Sequence, residues 1–233
     1  LVADYPKTSE ARKGMLEMAI NERNSGKEST AITYYKKVIE KYPTSDEAKL
    51  AAEDLKLIYA DNGKLSDFAS YINKVPNAPR IDVNEMEKLA FEAAEKAVVN
   101  KNEIGKMRAY LDSYPNGAYA ANASYYVAKH EYQRKNYDEA LVAVNKALKS
   151  TDAPFAEDAL AIKSEILMKQ GKNIDAMDTY KSLEAKASST DTKVIANLGI
   201  LRASADAKKW DDVNAAAEKL LQIGGLSADE ENE

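Results

Sequence analysis

The chain has 233 residues, of which 45% are apolar and 30% are charged, and its formal net charge is −5. This composition indicates a folded chain, and the negative balance without a long Lys/Arg cluster argues against nucleic acid, which requires concentrated positive charge. There is no cysteine, which excludes disulfides, thiolate metal sites and cysteine nucleophiles, and no stretch approaches the ~20 apolar residues that span a bilayer.

Helical patterns follow one another in pairs along the chain. No period-2 alternation is long enough to indicate a strand, so the predicted class is all-α. In chain order, the twelve helices are predicted near residues 9–24 and 28–41, 46–61 and 65–74, 82–100 and 102–113, 117–134 and 137–149, 154–169 and 173–187, and 191–207 and 211–222.

Turn residues separate these helices in a regular way. Proline stops a helix after most second helices, as in Tyr42-Pro43 and Tyr114-Pro115, and Ser45 is a cap candidate for the next helix. Between the two helices of a pair, glycine or asparagine can supply a left-handed residue. These inner turns are Ser25-Gly26-Lys27, Asn62-Gly63-Lys64, Lys101-Asn102, Lys135-Asn136, Gln170-Gly171-Lys172 and Lys208-Lys209.

One apolar pattern recurs through the second helices. Its copies are anchored at residues 31, 68, 103, 140, 176 and 213, so the steps are 35 to 37 residues. A period of this size is typical of an array in which each helical hairpin buries its apolar face against its neighbours. We expect a single array over residues 1–233, with repeats near 9–43, 44–76, 80–115, 116–153, 154–189 and 190–224.

The second repeat departs from this pattern. Pro76 stands at the offset that Ile39 and Leu111 hold in other repeats, and residues 77–80 lengthen the connection. The second helix of this repeat is therefore expected to end about one turn early. The irregularity Pro76–Pro79 either changes the pitch of the array or is a tolerated loop insertion.

Both ends of the sequence resemble parts of further repeats. Residues 1–6 match Val38–Pro43, which close a repeat, and residues 226–233 have the features of a loop and the first turn of a helix. We expect a fragment of a longer array, with a naturally short protein as the alternative. Leu16 and Ile20 form an apolar face that could meet another helix, which raises the possibility of self-association through a truncated N-terminal repeat.

Several repeats carry the residues of a known family. The sequence resembles the tetratricopeptide repeat, which implies a right-handed α-solenoid of about six hairpins without a cofactor. The residues that carry the resemblance are Asn136-Tyr137-Asp138-Glu139-Ala140 with Ala147, Gly26-Lys27 with Ala31, Tyr35 and Pro43, and Gly171 with Ala176 and Tyr180.

A more specific likeness lies in the Tyr-Pro endings. Tyr42-Pro43-Thr44-Ser45 with Ala48, and Tyr114-Pro115-Asn116-Gly117 with Ala120, are similar to repeats of bacterial outer-membrane assembly lipoproteins and of the Tol–Pal-associated periplasmic protein. This resemblance implies a periplasmic or outer-membrane-associated scaffold with protein partners.

The first helix of the fourth repeat contains the strongest candidate for binding. Tyr125 and Tyr132 occupy positions that face the concave groove in the repeat family, and aromatic rings flanked by charge suit peptide capture. Plain solvated helix surface is the alternative. The other candidate residues on this face are Asn122, Lys129 and Gln133 in the same helix, Glu92 and Lys96 on one side, and Asp158 and Glu165 on the other.

Catalytic and metal-binding patterns are incomplete. His130-Glu131 begins a zinc-protease phrase, but Arg134 stands where the second histidine is needed. Ser25-Gly26-Lys27 lacks the earlier glycine and the hydroxyl residue of a phosphate loop. We therefore expect neither enzyme activity nor a metal or cofactor.

Two binding functions remain open. The first is a non-catalytic scaffold that docks a protein or peptide on its concave face. The second is an accessory module that binds a small carbohydrate or lipoprotein-related ligand through Tyr125, Lys129 and Tyr132. Leu16 and Ile20 occupy the places where peptide-clamping relatives carry Lys and Asn, which argues against chaperone-tail binding.

Overall fold

The computed structural model describes residues 8–80 and 82–223, and within these ranges it contains twelve α-helices and no strand. The all-α class and all twelve predicted helices are confirmed. The helices are α1 (Ser9–Asn24), α2 (Glu28–Lys41), α3 (Asp46–Asp61), α4 (Leu65–Ile72), α5 (Val83–Lys101), α6 (Gly105–Ser113), α7 (Ala120–Gln133), α8 (Tyr137–Ala147), α9 (Ala156–Lys169), α10 (Asn173–Lys186), α11 (Thr190–Asp206) and α12 (Trp210–Ile223).

Three helices begin two or three residues later than the sequence predicts. Before α7, the amide of Gly117 donates to the carbonyl of Tyr114 at 3.1 Å, so a turn precedes the helix. A similar turn precedes α9, where the amide of Ala156 donates to Ala153 at 2.9 Å. Asn102 has a φ of 55°, so α6 cannot start there.

Polar side chains cap the N-termini of four helices, each the first helix of its hairpin. The predicted cap Ser45 accepts a hydrogen bond from the amide of Ala48 at 3.1 Å at the start of α3. Such a bond satisfies one of the amides that a helix start leaves without an intrahelical partner. The same role is taken by Thr8 for α1, Asp82 for α5 and Ser189 for α11.

Each inner turn contains one residue with positive φ, as the turn sequences between paired helices predict. Three are glycines and one is Asn102, residue types that adopt this conformation at low cost. The remaining two are lysines, so the turn geometry persists where the usual residue is absent. The six residues are Gly26, Gly63, Asn102, Lys135, Gly171 and Lys208.

The two Tyr-Pro endings share one backbone geometry. Tyr42 ends α2 with φ −136° and ψ 50°, and Tyr114 ends α6 with φ −132° and ψ 63°. A proline disfavours the helical conformation for the residue before it. The repeated sequence therefore produces a repeated helix stop.

The chain divides into two compact units, the first ending at Gly117 and the second beginning at Ala118. In the first unit α1 packs on α2 and α3, α2 on α3, α3 on α4 and α5, and α5 on α6. In the second, α7 packs on α8 and α9, α8 on α9, α9 on α10 and α11, α10 on α11, and α11 on α12. Within each unit, consecutive hairpins thus share their apolar faces, whereas one continuous array over both units stays a prediction.

The second hairpin confirms the expected early stop. Helix α4 has 8 residues and ends at Ile72, whereas α2 has 14. A turn follows in which the amide of Ala78 donates to Val75 at 3.2 Å, and Asn77 has a φ of 58°. The connection around Pro76 therefore replaces the last turn of the helix.

Leu16 and Ile20 of the N-terminal hairpin pack against helices of their own unit. The Leu16 side chain is 7% exposed and belongs to the same core as Ala19, Tyr35 and Leu55, with Ile20 packed against it. Leu16 is therefore covered within its own unit, and self-association through the N-terminal repeat stays a prediction. The predicted matches at residues 1–6 and 226–233 lie outside the described residues.

Candidate binding surface

The candidate residues of α7 fall on one face of that helix. Tyr125, Lys129 and Tyr132 are spaced by four and three residues, which places them one above another along a helix. In the same way, Asp158 and Glu165 are two turns apart on α9. Because α7 packs against α9, the two sets of side chains can meet.

Tyr125 lies at the centre of one cluster. Its hydroxyl donates to Asp158, and the Nζ of Lys129 lies 3.3 Å from both the Asp158 carboxylate and the Tyr125 hydroxyl. The ring of Tyr125 stacks on Phe155, with centroids 4.9 Å apart and planes inclined by 11°. Stacking and hydrogen bonding together fix this ring in one orientation.

Tyr132 forms the second cluster, two turns further along α7. Its hydroxyl donates to Glu165 on α9, and its ring lies 6.1 Å from that of Tyr137. Tyr125–Asp158 and Tyr132–Glu165 are each separated by 33 residues. The two bonds therefore repeat one contact between successive first helices.

Both tyrosines remain protonated donors near neutral pH. Burial raises the pKa of Tyr125, and the hydrogen bond to Asp158 raises it further, against an opposing effect of Lys129. Burial and the bond to Glu165 raise the pKa of Tyr132 in the same direction. The hydrogen bond to Tyr125 raises the pKa of Lys129, so the ammonium stays charged.

Within the second unit, the structure brings together five of the nine predicted site residues. Asn122 is half-buried and Gln133 is exposed on α7. Glu92 and Lys96 are exposed on α5, in the first unit, where Glu92 lies 3.7 Å from Lys88. The observed cluster in the second unit therefore consists of Tyr125, Lys129, Tyr132, Asp158 and Glu165.

Two separate depressions lie between α9 and α11. The first, at the end of α9, adjoins the Tyr132–Glu165 pair and has a volume of about 460 Å³, and the second, towards the start of α9, has a volume of about 350 Å³. The first is lined by Glu165, Met168, Lys169, Tyr180, Gly199 and Arg202. The second is lined by Pro154, Glu157, Asp158, Ala161, Leu183, Ser188, Thr192 and Ile195.

The sequence analysis did not identify four residues of this region as site residues. They are Phe155, Tyr180, Gly199 and Arg202. Arg202 and Lys129 stand at the same offset from their anchors, 213 and 140, which is a signal that could have identified Arg202. Tyr180 was expected only as a packing residue, and it is buried. Nothing in the sequence indicates that Phe155 stacks on Tyr125 or that Gly199 lies under Tyr180.

His130 has a structural role in the inner turn of the fourth hairpin. Its Nδ1 lies 2.8 Å from the carboxylate of Glu131, which is 3% exposed. Asn136 donates to the same carboxylate at 2.6 Å, and its amide donates to the Glu131 carbonyl at 2.9 Å. These contacts hold the turn that contains Lys135, as expected for a structural histidine.

Over residues 8–80 and 82–223, no group of three or more His, Asp or Glu side chains is arranged to hold a metal ion. In that same part of the chain, no helix is long and apolar enough to cross a membrane. In the first unit, a crevice beside Tyr110 and Tyr114 has a volume of about 10 Å³, which is at most the room for one water molecule.

Comparison with known proteins finds likeness among solved structures alone. No family model matches the chain, and no curated protein matches it. Among solved structures, it is similar to a protein from Podosopora anserina described as a kinesin light chain with nearly identical TPR-like repeats. The identity is 13%, the TM-score is 0.37, and the match covers 91% of this chain and 93% of the other. A likeness this remote does not assign a fold or a function.

Proposed function

We propose that this chain is a non-catalytic docking scaffold that holds a protein or peptide along the surface formed by α7, α9 and α11. The observation that carries the proposal is the pair of hydrogen bonds from Tyr125 to Asp158 and from Tyr132 to Glu165. They hold two partly exposed aromatic rings in fixed orientations. A surface ordered before binding loses less side-chain entropy when a partner docks.

The composition of this surface supports a protein or peptide partner. Tyrosine is enriched among the residues that dominate binding energy, because it offers a large apolar ring with a polar end. Lys129, Asp158 and Glu165 add charges beside the rings. Consecutive helical hairpins provide an extended surface that suits a partner with several points of contact.

Site-specific photo-crosslinking tests this function. A benzophenone amino acid at Gln133, which is exposed on α7, should form a protein adduct in cells that produce the full chain. The same group at Val142, which is 59% exposed on α8, is the matched control. Combined Tyr125→Ala and Tyr132→Ala substitutions should reduce the Gln133 adduct about fivefold or more. Equal adducts at both positions, or an adduct unaffected by the two alanines, would contradict the proposal.

We also propose that the scaffold belongs to the bacterial envelope, either periplasmic or associated with the outer membrane. Support comes from the sequences around Tyr42 and Tyr114, whose Tyr-Pro endings resemble repeats of bacterial outer-membrane assembly lipoproteins. Fractionation of cells that express the complete gene tests this assignment. Recovery of the protein with cytoplasmic markers alone would refute it.

The depression beside Glu165, the hydrogen-bond partner of Tyr132, supports a second candidate, the binding of a small carbohydrate or lipoprotein-related ligand. About 460 Å³ lies within the ~300–1,000 Å³ range of small-molecule sites. Calorimetry with soluble glycans and lipopeptides would detect such binding. The Tyr125→Ala and Tyr132→Ala variant should lose it while helicity is unchanged, and unchanged binding would eliminate this candidate.

A further inference from the structure

The second depression between α9 and α11, towards the start of α9, combines apolar walls with carboxylates. Pro154, Ala161 and Ile195 line it, and Ile195 is 52% exposed although it is apolar. Glu157 and Asp158, from the first turn of α9, line it as well. Of the described residues, none that lines this depression is a lysine or an arginine. The depression therefore places negative charge beside an apolar surface.

The two carboxylates of the second depression differ in their partners. Asp158 accepts a hydrogen bond from Tyr125 and lies 3.3 Å from the Nζ of Lys129, so its charge is partly offset. Glu157 accepts a hydrogen bond through Oε1 from the backbone amide of Ser188 at 3.1 Å. This bond fixes the Glu157 side chain but supplies no full positive charge. Its Oε2 makes no hydrogen bond or ion pair within the described part of the chain, so it can accept from a cation.

The surroundings of the second depression are negative on balance. The starts of α9 and α11 each contribute about half a positive charge, and Lys129 contributes a whole one. Three carboxylates outweigh them, because Asp191 stands four residues before Ile195 on the same face of α11. Lys193 is two residues from Ile195, and residues at this spacing do not face each other on a helix. A positively charged group is therefore favoured over a negative one.

The apolar wall selects the kind of cation. Lysine and arginine have an aliphatic stem that packs on apolar surface while the charged head reaches polar groups. Pro154, Ala161 and Ile195 offer such a surface next to Glu157. The volume of about 350 Å³ is at the lower end of the ~300–1,000 Å³ range of ligand sites, which suits one long side chain.

We propose that the second depression binds a basic side chain, arginine or lysine, of a partner polypeptide. The stem packs on Pro154 and Ile195, and the charged head donates to Glu157. Asp158 belongs both to this depression and to the cluster around Tyr125, so the site adjoins the docking surface. The inference rests on the docking function proposed above, and it specifies a basic segment in the partner.

Nuclear magnetic resonance titration of the full chain, labelled with ¹⁵N, tests the inference. The probe is the peptide Gly-Ser-Ala-Ala-Arg-Ala-Ala-Ser-Gly, acetylated and amidated so that arginine carries its only charge. It should shift the amide signals of Thr192 and Ile195. Its Kd should be about fivefold lower than that of the analogue with citrulline, a neutral isostere, in place of arginine. High salt should reduce this preference, because it screens exposed charges.

Substitutions separate the contribution of charge from that of the apolar wall. Glu157→Gln should remove most of the preference, since glutamine can still accept from the Ser188 amide and only the charge is lost. Ile195→Ser should weaken the binding of both peptides. Asp178→Asn, at an exposed carboxylate on α10, and Val142→Ser, at an exposed position on α8, are the matched controls and should leave binding unchanged.

Three results would overturn the inference. The first is an equal Kd for the arginine and citrulline peptides, and the second is binding without shifts at Thr192 and Ile195. The third is a preference that survives Glu157→Gln, or that Asp178→Asn reduces to the same extent. In that last case the attraction would come from the net charge of −5 and not from this site.

The two proposals can fail separately. If the peptides show no preference but the Gln133 crosslink persists and depends on Tyr125 and Tyr132, the inference is wrong and the scaffold function stands. If the arginine peptide binds selectively but Gln133 gives no adduct, the second depression is a site for basic side chains and the docking surface on α7 is wrong.

Discussion

The ring of Tyr180 on α10 lies directly against Gly199 on α11. An added Cβ at position 199 would lie 2.4 to 2.5 Å from three atoms of the Tyr180 ring, closer than van der Waals contact permits. The ring is fixed by the core that also contains Leu183 and Ala203. The glycine is therefore required by packing, not by its φ angle.

Gly199→Ala should lower the free energy of unfolding by about 1–3 kcal/mol, the cost of overpacking a well-packed core. This loss should appear although alanine improves helix propensity by about 1 kcal/mol relative to glycine. Urea denaturation measures the change. Gly105→Ala, where no atom lies within 4 Å of the added Cβ, is the control, and Tyr180→Leu should partly rescue Gly199→Ala. A Gly199→Ala protein as stable as the parent would show that the contact is not tight.

Gly171, in an inner turn, is required by its backbone conformation and not by packing. Gly171 has open space around its Cβ position but a φ of 69°. Gly171→Ala should therefore cost about 1 kcal/mol of stability through backbone conformation alone. Thermal unfolding of this variant beside Gly105→Ala checks the prediction, and equal melting temperatures would contradict it.

Tyr35 predicts a loss of stability at alkaline pH. The side chain is fully buried and donates to Asp54 at 3.0 Å, and burial followed by this bond raises its pKa to about 12. A group whose pKa is higher in the folded state stabilises the fold below its unfolded pKa, here about 10, and loses this effect as pH rises towards 12. Tyr35→Phe should therefore show a shallower fall in stability between pH 10 and 12. Parallel curves for the two proteins would exclude this contribution.

The predictability of individual residues depends on whether their role follows from periodicity. Tyr125 and Tyr132 were found because helical spacing and the repeat offset place them on one face. Phe155 lies before the first residue of α9, so helical periodicity does not apply to it. The role of Gly199 depends on the side chain of another helix, which no local pattern contains.

At the scale of the helices, Lys56 connects α3 to α5. Its side chain is 3% exposed, and its Nζ lies 2.5 Å from Glu53 and 2.9 Å from Glu85. Burial alone lowers the pKa of Lys56, but the two hydrogen bonds outweigh this effect and raise it. The charged form is therefore stabilised, and the aliphatic part of the side chain is packed between helices.

Lys56→Ala should reduce the free energy of unfolding by about 1–2 kcal/mol, because packing and two charged hydrogen bonds are lost. The two carboxylates are about 60% exposed, so water can solvate them and the loss stays moderate. Lys49→Ala, which removes an exposed pair with Asp46, should change stability little. Similar losses from the two substitutions would contradict the structural role of Lys56.

Helix positions were more predictable than helix starts. The apolar period located all twelve helices, because burial on one face determines that period. The starts of α7 and α9 were wrong by two or three residues, since their turns contain backbone bonds, such as Gly117 to Tyr114, that have no strong sequence signal. The early end of α4 was correct because Pro76 imposes it.

At the scale of the whole molecule, each unit has its own apolar core. The core of the first unit includes Tyr35 and Phe68, and that of the second includes Tyr180 and Leu183. Because stability in helical repeats arises mainly from contacts between neighbours, a fragment of residues 118–233 should fold alone. Circular dichroism and cooperative thermal unfolding test this expectation, and a fragment that is unfolded at 25 °C would contradict it.

The two ion pairs between α10 and α12 run in opposite senses, since Lys181 contacts Asp212 at 2.6 Å and Lys219 contacts Glu184 at 2.7 Å. In the fourth hairpin, the position equivalent to Glu184 is Leu148, the first residue after α8. If the last hairpin were transplanted to follow the fourth, Lys219 would therefore face an aliphatic side chain. The hairpins resemble one another in shape, but their charges make them non-interchangeable, so shuffling their order should weaken the protein.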